Sequence, residues 1–88
     1  MPMRVAIVSP EAEIWTGEAD RLVARTLEGE IGVLPRHAPM LGVLVNDGEV
    51  RLRTGGGDVI AKVDGGFISV TAEGVSILAE QAEIITGA

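Results

Sequence analysis

Cysteine and tyrosine are absent, and phenylalanine, tryptophan, histidine and lysine occur once each. Without cysteine there is no disulfide and no thiolate metal site, which suits a reducing compartment. A single His leaves no ligand set for zinc. The scarcity of aromatic residues removes any base-stacking platform. Thirteen acidic against seven basic residues give a formal charge of −6, the wrong sign for a phosphate backbone. No nucleic acid is expected. Apolar residues reach 47%, yet no apolar run approaches the ~18 residues that span a bilayer. Met1-Pro2-Met3-Arg4 has no charged-then-apolar signal organisation. The expectation is a soluble, cytoplasmic chain that does not insert into lipid.

Catalytic constellations are missing as well. Ser9 stands in a Ser-Pro corner, Ser69 and Ser76 stand inside apolar runs, and none has a nucleophile elbow. Gly55-Gly56-Gly57 is followed by neither Lys-Ser/Thr nor a helix, so it reads as a hairpin tip and not a phosphate cradle. The carboxylate pairs Glu11/Glu13 and Asp47/Glu49 read as solvated turn charges. Lys62, between Ala61 and Val63 in a strand-like run, lacks the exposed hairpin tip of a biotin or lipoyl carrier. The chain is expected not to be an enzyme by itself.

What is present has a period of two. In Val50-Arg51-Leu52-Arg53-Thr54 the apolar residues share one face and the arginines the other. Asn46-Asp47-Gly48, Gly55-Gly56-Gly57-Asp58, Asp64-Gly65-Gly66 and Glu73-Gly74 are turn signals, because Gly supplies positive φ and Asn or Asp tolerates it. The pattern predicts strands at Met3–Val8, Glu13–Gly17, Asp20–Leu27, Glu30–Leu34, Leu41–Val45, Glu49–Thr54, Val59–Asp64, Gly66–Ala72 and Val75–Glu80. Ala79–Ile85 is the one stretch with a helical look, and it is too short to stand alone. The fold class is all-β, a small antiparallel β-sandwich of roughly nine or ten short strands. It fills a single domain over residues 1–88.

Gly29-Glu30-Ile31-Gly32-Val33-Leu34-Pro35-Arg36-His37-Ala38-Pro39-Met40-Leu41 crowds two Gly, two Pro and the only His together. Pro35 and Pro39 bias Leu34 and Ala38 toward extended backbone, so Arg36-His37-Ala38 is expected on a stiff, solvent-facing loop. His37 either caps that turn or touches a partner. Arg21 and Arg25 flank Val23 on one strand face, with Leu22 and Ala24 inward. That face is either ordinary solvated surface or part of a docking face. Trp15 is either a core or rim anchor or an interface hot spot.

The segment from Gly29 to Leu41 closely resembles the G-E/D-x-G-x-L/Y-P-x-H-A-P run of the epsilon subunits of F-type ATP synthases. Val5-Ala6-Ile7-Val8-Ser9-Pro10 with Ile14-Trp15-Thr16-Gly17, Gly65-Gly66-Phe67-Ile68-Ser69-Val70, and Val75 to Glu83 extend the resemblance over nearly the whole chain. The resemblance implies a non-catalytic central-stalk subunit that docks on the gamma subunit and touches the c-ring, helping couple proton translocation to ATP synthesis. It implies no cofactor, and a peripheral place on the cytoplasmic face of a bacterial-type cell membrane. Glu30 takes the motif's acidic position, near the c-ring loops, Arg36, His37, Ala38 and Pro39 take the exposed loop, and the whole segment from Gly29 to Leu41 is the expected rotor-contacting edge. Arg21, Val23 and Arg25 are expected on a different edge, facing gamma. Arg36 replaces the Gly or Asn usual in the family. The family usually continues into a C-terminal helical hairpin, and Ile84 to Ala88 is too short for one, so hairpin-type inhibition and ATP sensing are not expected. The alternative is a generic β-sandwich interaction module.

Overall fold

A computed structural model describes residues 2–87. Eight strands follow one another: β1 (Met3–Val8), β2 (Glu13–Ala19), β3 (Arg21–Thr26), β4 (Gly29–Val33), β5 (Met40–Val43), β6 (Gly48–Thr54), β7 (Gly57–Thr71) and β8 (Gly74–Thr86). Their hydrogen-bonded order is β2-β1-β8-β7-β6-β3-β4, with β5 added to β7. β7 and β8 are long enough to serve two layers. Layer A contains β2, β1, the first half of β8, the second half of β7, and β5. Layer B contains β4, β3, β6, the first half of β7 and the second half of β8.

The change of layer is made at Gly65-Gly66. Buried positions in β7 are Val59, Ala61 and Val63 before this pair but Ile68 and Val70 after it. The alternation therefore slips by one residue, as the opposite face of the ribbon turns to the core. Both glycines have positive φ, 73° and 114°. A Cβ on Gly66 would run into the Leu78 carbonyl oxygen. The bend is tied down by backbone bonds: Leu44 N–H donates to Gly66 O at 2.9 Å, and Gly65 N–H donates to Val45 O at 3.1 Å. Val45 N–H and Leu27 N–H continue the network, donating to Arg25 O and Val43 O and lacing β5 to β3.

Three hairpins share one device. Thr26-Leu27-Glu28-Gly29, Thr54-Gly55-Gly56-Gly57 and Thr71-Ala72-Glu73-Gly74 each pair a Thr with a positive-φ Gly across a two-residue loop. In each, the Thr hydroxyl donates to the Gly carbonyl and accepts a loop N–H. For Thr26 the distances are 2.8 Å to Gly29 O and 3.2 Å from Glu28 N. Thr26 is also the one buried polar residue among those described.

The core lies between the layers, built from Val5, Ile7, Leu22, Val33, Val50, Leu52, Val63, Ile68 and Ile77. Trp15 packs against its margin, lying over Gly17. The all-β sandwich is as expected, with three differences of detail. Val59–Asp64 and Gly66–Ala72 are one bent strand, because the glycine pair turns the ladder without ending it. β8 runs on through Thr86, because β7 offers it a partner as far as Ile60. One pairing, β1 with β8, is parallel. The tight β7–β8 hairpin fixes the direction of β8 against β7, and the slot it fills beside β1 then leaves those two strands parallel.

Replacing Thr26 by Ala breaks two part-buried bonds, whereas the matching bonds of half-buried Thr54 are exposed and pass to water. Urea unfolding should show a loss of about 1–2 kcal/mol for Thr26→Ala and under about 0.5 kcal/mol for Thr54→Ala.

Candidate partner-binding surfaces

Arg21, Val23 and Arg25 project from the outer face of β3, with Leu22 and Ala24 buried beneath. The Thr26–Gly29 hairpin sets Arg25 directly opposite Glu30. Glu30 therefore shares the face of Arg21, Val23 and Arg25, and its expected separation onto a different edge does not hold. β6 adds Arg53 opposite Arg21, and Arg51 opposite Val23. Lys62 on β7 completes the face, opposite Glu49. The cations Arg21, Arg25, Arg51, Arg53 and Lys62 thus gather on layer B, out of seven in the chain.

The ion pairs on this face are loose apart from one. Arg51 Nη2 stands 3.4 Å from Glu49 Oε1, and Arg53 Nε stands 3.6 Å from Asp58 Oδ1. Lys62 Nζ is 3.0 Å from Asp47 Oδ1. That carboxylate, by hydrogen bond and by charge, holds the Lys62 ammonium above its ordinary range, with Glu83 and Asp64 adding to the effect. Arg21 and Arg25 have no ion-pair partner among the described residues.

The loop after β4 is built as a turn. His37 N–H donates to Leu34 O at 3.1 Å, closing Leu34-Pro35-Arg36-His37. Arg36 has a φ of 70°, so Pro35 and Arg36 take the two central places of a type II turn. Gly or Asn is the natural occupant of the second. The family's usual residue at this position thus has a geometric reason, and Arg36 bears the strain. His37 Nδ1 lies 2.7 Å from Ala38 O, a contact in which the ring nitrogen donates. Arg36, Ala38 and Pro39 are exposed and His37 is half-buried. The loop borders Met3, Arg4, Glu18 and Glu73, at the start of β1. Glu30 instead leaves the hairpin at the far end of β4, so it and His37 occupy different ends of that strand.

A third surface had no local signal. On the outer face of layer A, Val43, Phe67, Leu78 and Val8 lie in one row across β5, β7, β8 and β1. Phe67 is 50% exposed and Leu78 53%, with Leu27 at 70% and Leu41 at 72% nearby in the fold. A groove of about 740 Å³ runs along this row, bounded by Pro10, Leu27, Asn46 and Glu80. The next row begins at Leu41 and otherwise carries small side chains, Ser69, Ser76, Ala6 and Thr16. Contiguous exposed apolar area on this scale is the mark of a docking site. Among the described residues no group of His, Asp and Glu is placed to hold a metal ion.

The family described as ATP synthase, Delta/Epsilon chain, beta-sandwich domain matches residues 2–85. The chain belongs to this family. The ATP synthase epsilon chain of Frankia casuarinae is 63% identical over 84 residues, which cover 96% of this chain and 99% of that protein. The epsilon chain of Mycobacterium tuberculosis (strain ATCC 25618 / H37Rv) is 55% identical over 82 residues, covering 92% of this chain and 68% of the relative. Among solved structures, a chain of the Euglena gracilis mitochondrial ATP synthase (OSCP/F1/c-ring) aligns with a TM-score of 0.85 at 24% identity. A chain of the Tetrahymena thermophila mitochondrial ATP synthase central stalk/c-ring aligns at 0.71 and 21%. The sandwich spans 53% of the first of these chains and 66% of the second. The likeness to these two structures is one of fold.

Two outcomes test the local geometry. A non-Gly residue at such a φ costs ~1–2 kcal/mol, partly offset in the Gly variant by added chain entropy. Arg36→Gly should therefore gain about 0.5–1 kcal/mol in urea unfolding. For Lys62 the folded value is raised, so its stabilisation is complete below the ordinary 10.5 and is lost as pH climbs through the raised value. The stability gap between the native chain and Lys62→Gln should be constant from neutral pH to about 9 and should shrink as pH climbs past the ordinary 10.5.

Proposed function

We propose that this chain is a rotor subunit of an F-type ATP synthase, seated in the central stalk between the gamma subunit and the c-ring. There it helps couple proton translocation to ATP synthesis carried out on other subunits. It is a peripheral part of a membrane-bound complex, on the cytoplasmic face of a bacterial-type membrane, and performs no chemistry of its own.

One observation carries the reading: the two layers present outer faces of opposite chemistry. A subunit held between two partners needs two such faces, and a durable seat differs from a polar contact. The apolar row Val8, Leu78, Phe67 and Val43 supports a permanent seat on gamma. The stiff Arg36–Pro39 loop, at the Arg4 and Glu18 end of the same layer, belongs with that seat. Glu30 resembles the family's acidic c-ring position, and Arg21, Val23 and Arg25 share its face, so all four are assigned to the c-ring side. Physical grouping thus moves the Arg21–Arg25 strand from gamma to the c-ring, and the His37 loop the other way.

The test is reconstitution with separately prepared gamma subunit and c-ring. Phe67→Ser with Leu78→Ser exposes no core and should weaken gamma binding at least tenfold while the circular dichroism and melting of the free chain are retained. Glu30→Lys should leave gamma binding intact and impair c-ring contact in the assembled complex. Gamma binding unaffected by the double change would remove the layer A assignment. The purified chain alone should hydrolyse no ATP; turnover abolished by changing one of its own side chains would refute the non-catalytic role.

A further inference from the structure

The outer face of layer B holds a charge arrangement that the isolated chain does not satisfy. Arg21 and Arg53 are direct cross-strand partners on adjacent strands, which puts the Cβ atoms of two like-charged side chains about 5 Å apart. Arg51 follows two residues before Arg53 on the same face, and the three surround Val23 over a depression of about 290 Å³. Arg21 has no ion pair among the described residues, and the pairs of Arg51 and Arg53 are longer than the ~2.8 Å of a strong charge-assisted bond. A chain with formal charge −6 has thus placed guanidinium groups where they repel one another. Like charges directly opposite each other are destabilising, and while Asp58 and Glu49 offset Arg53 and Arg51, Arg21 is left for a counter-charge from outside.

We infer that this face recognises an acidic protein segment, whose carboxylates enter between Arg21 and Arg53 with Val23 as the apolar floor. Planar forks suit carboxylates, and an Arg frame around one apolar residue is a common interface pattern. A small free oxyanion fits less well, because Glu30 and Asp58 line the same depression and would repel it. A polypeptide can offer carboxylates to the arginines and donors to Glu30 and Asp58 at once. The inference rests on the reading that layer B meets a partner in the assembled synthase, and adds the chemistry of that partner's surface.

The chain's single Lys makes a direct test available. Carbodiimide joins an amine to a carboxylate it touches, with no spacer. In the assembled complex, Arg21→Lys or Arg53→Lys should yield a new zero-length cross-link to an Asp or Glu of another subunit. Ser76→Lys, on layer A, should not yield that product. Arg21→Gln with Arg53→Gln should lower the salt concentration at which the layer B partner dissociates and weaken its binding on the order of tenfold. The free double variant should melt no lower than the native chain, because a repulsion has been removed. If the complex assembles but neither Lys variant cross-links, the inference fails while the rotor reading stands. If the chain does not assemble with gamma and c-ring at all, the rotor reading itself fails. Inorganic phosphate or ATP raising the melting temperature of the native chain, but not of the double variant, would mean a small-oxyanion site and overturn the acidic-segment reading.

Discussion

The β7–β8 ladder is the constraint on which the rest of the fold depends. Its pairing runs unbroken in direction from Thr71 with Gly74 down to Ile60 with Thr86, and among the described residues it is the only ladder belonging to both layers. A sheet continued through a bend leaves fewer free edges than two separate sheets would, and edges invite unwanted pairing. The bend is possible only because Gly65 and Gly66 accept positive φ and the Leu78 carbonyl leaves no room for a side chain at Gly66. The freed backbone groups then bond to Leu44 and Val45, so β5 is placed by the same event. A larger residue at Gly66 would disturb the bend, the β5 edge and its lacing to β3 together.

Both outer faces follow from this bend. Uninterrupted alternation from Val59 would carry Ala61, Val63 and then Phe67 to the core. The slip at the glycine pair puts Ile68 inside and Phe67 outside. The large apolar ring so displaced becomes the centre of the layer A row, between Val43 and Leu78. Phe67 is 50% exposed, so the isolated chain forgoes about half of the ~1.5–3 kcal/mol that full burial of such a side chain is worth. In the proposed seating, gamma covers the row and recovers that burial.

The sequence was most legible where structure is local. Turn residues mark the β5–β6 connection at Asn46-Asp47-Gly48 and the β6–β7 hairpin at Gly55-Gly56-Gly57, and alternation in Val50 to Thr54 gives the inward face correctly. The recurring Thr-x-x-Gly of Thr26, Thr54 and Thr71 was equally open to reading, as it marks two-residue hairpins. Taking the first of them at face value already puts Arg25 opposite Glu30, and would have joined two groups of residues that the family comparison had divided. Less was legible where partners are far apart. Val8, Val43, Phe67 and Leu78 meet through three different pairings, one of them parallel, and no window of sequence contains that row. Arg21 and Arg53 are likewise brought together by β3–β6 pairing across 32 positions of chain. Where β7 changes face was hidden for another reason: Gly-Gly signals an end and a bend alike, and only the continuing partner strand decides between them.

A rotor subunit of the kind proposed contributes by holding its contacts in a fixed relation, and here the fold makes that relation stiff. In the proposed seating, gamma rests on the outer face of layer A and the c-ring meets layer B. Force from one to the other then passes through strands common to both layers, not across a linker. Each ladder bond is worth only about 1 kcal/mol, but displacing one layer against the other requires breaking many at once along β7 and β8. The weak points are the glycines of the bend, and these are the positions where Leu44 and Val45, just after β5, add bonds. Rigidity is therefore concentrated where the backbone is most permissive. That placement suits a part that turns with its neighbours, since compliance at the bend would store rotation as strain and fail to pass it on.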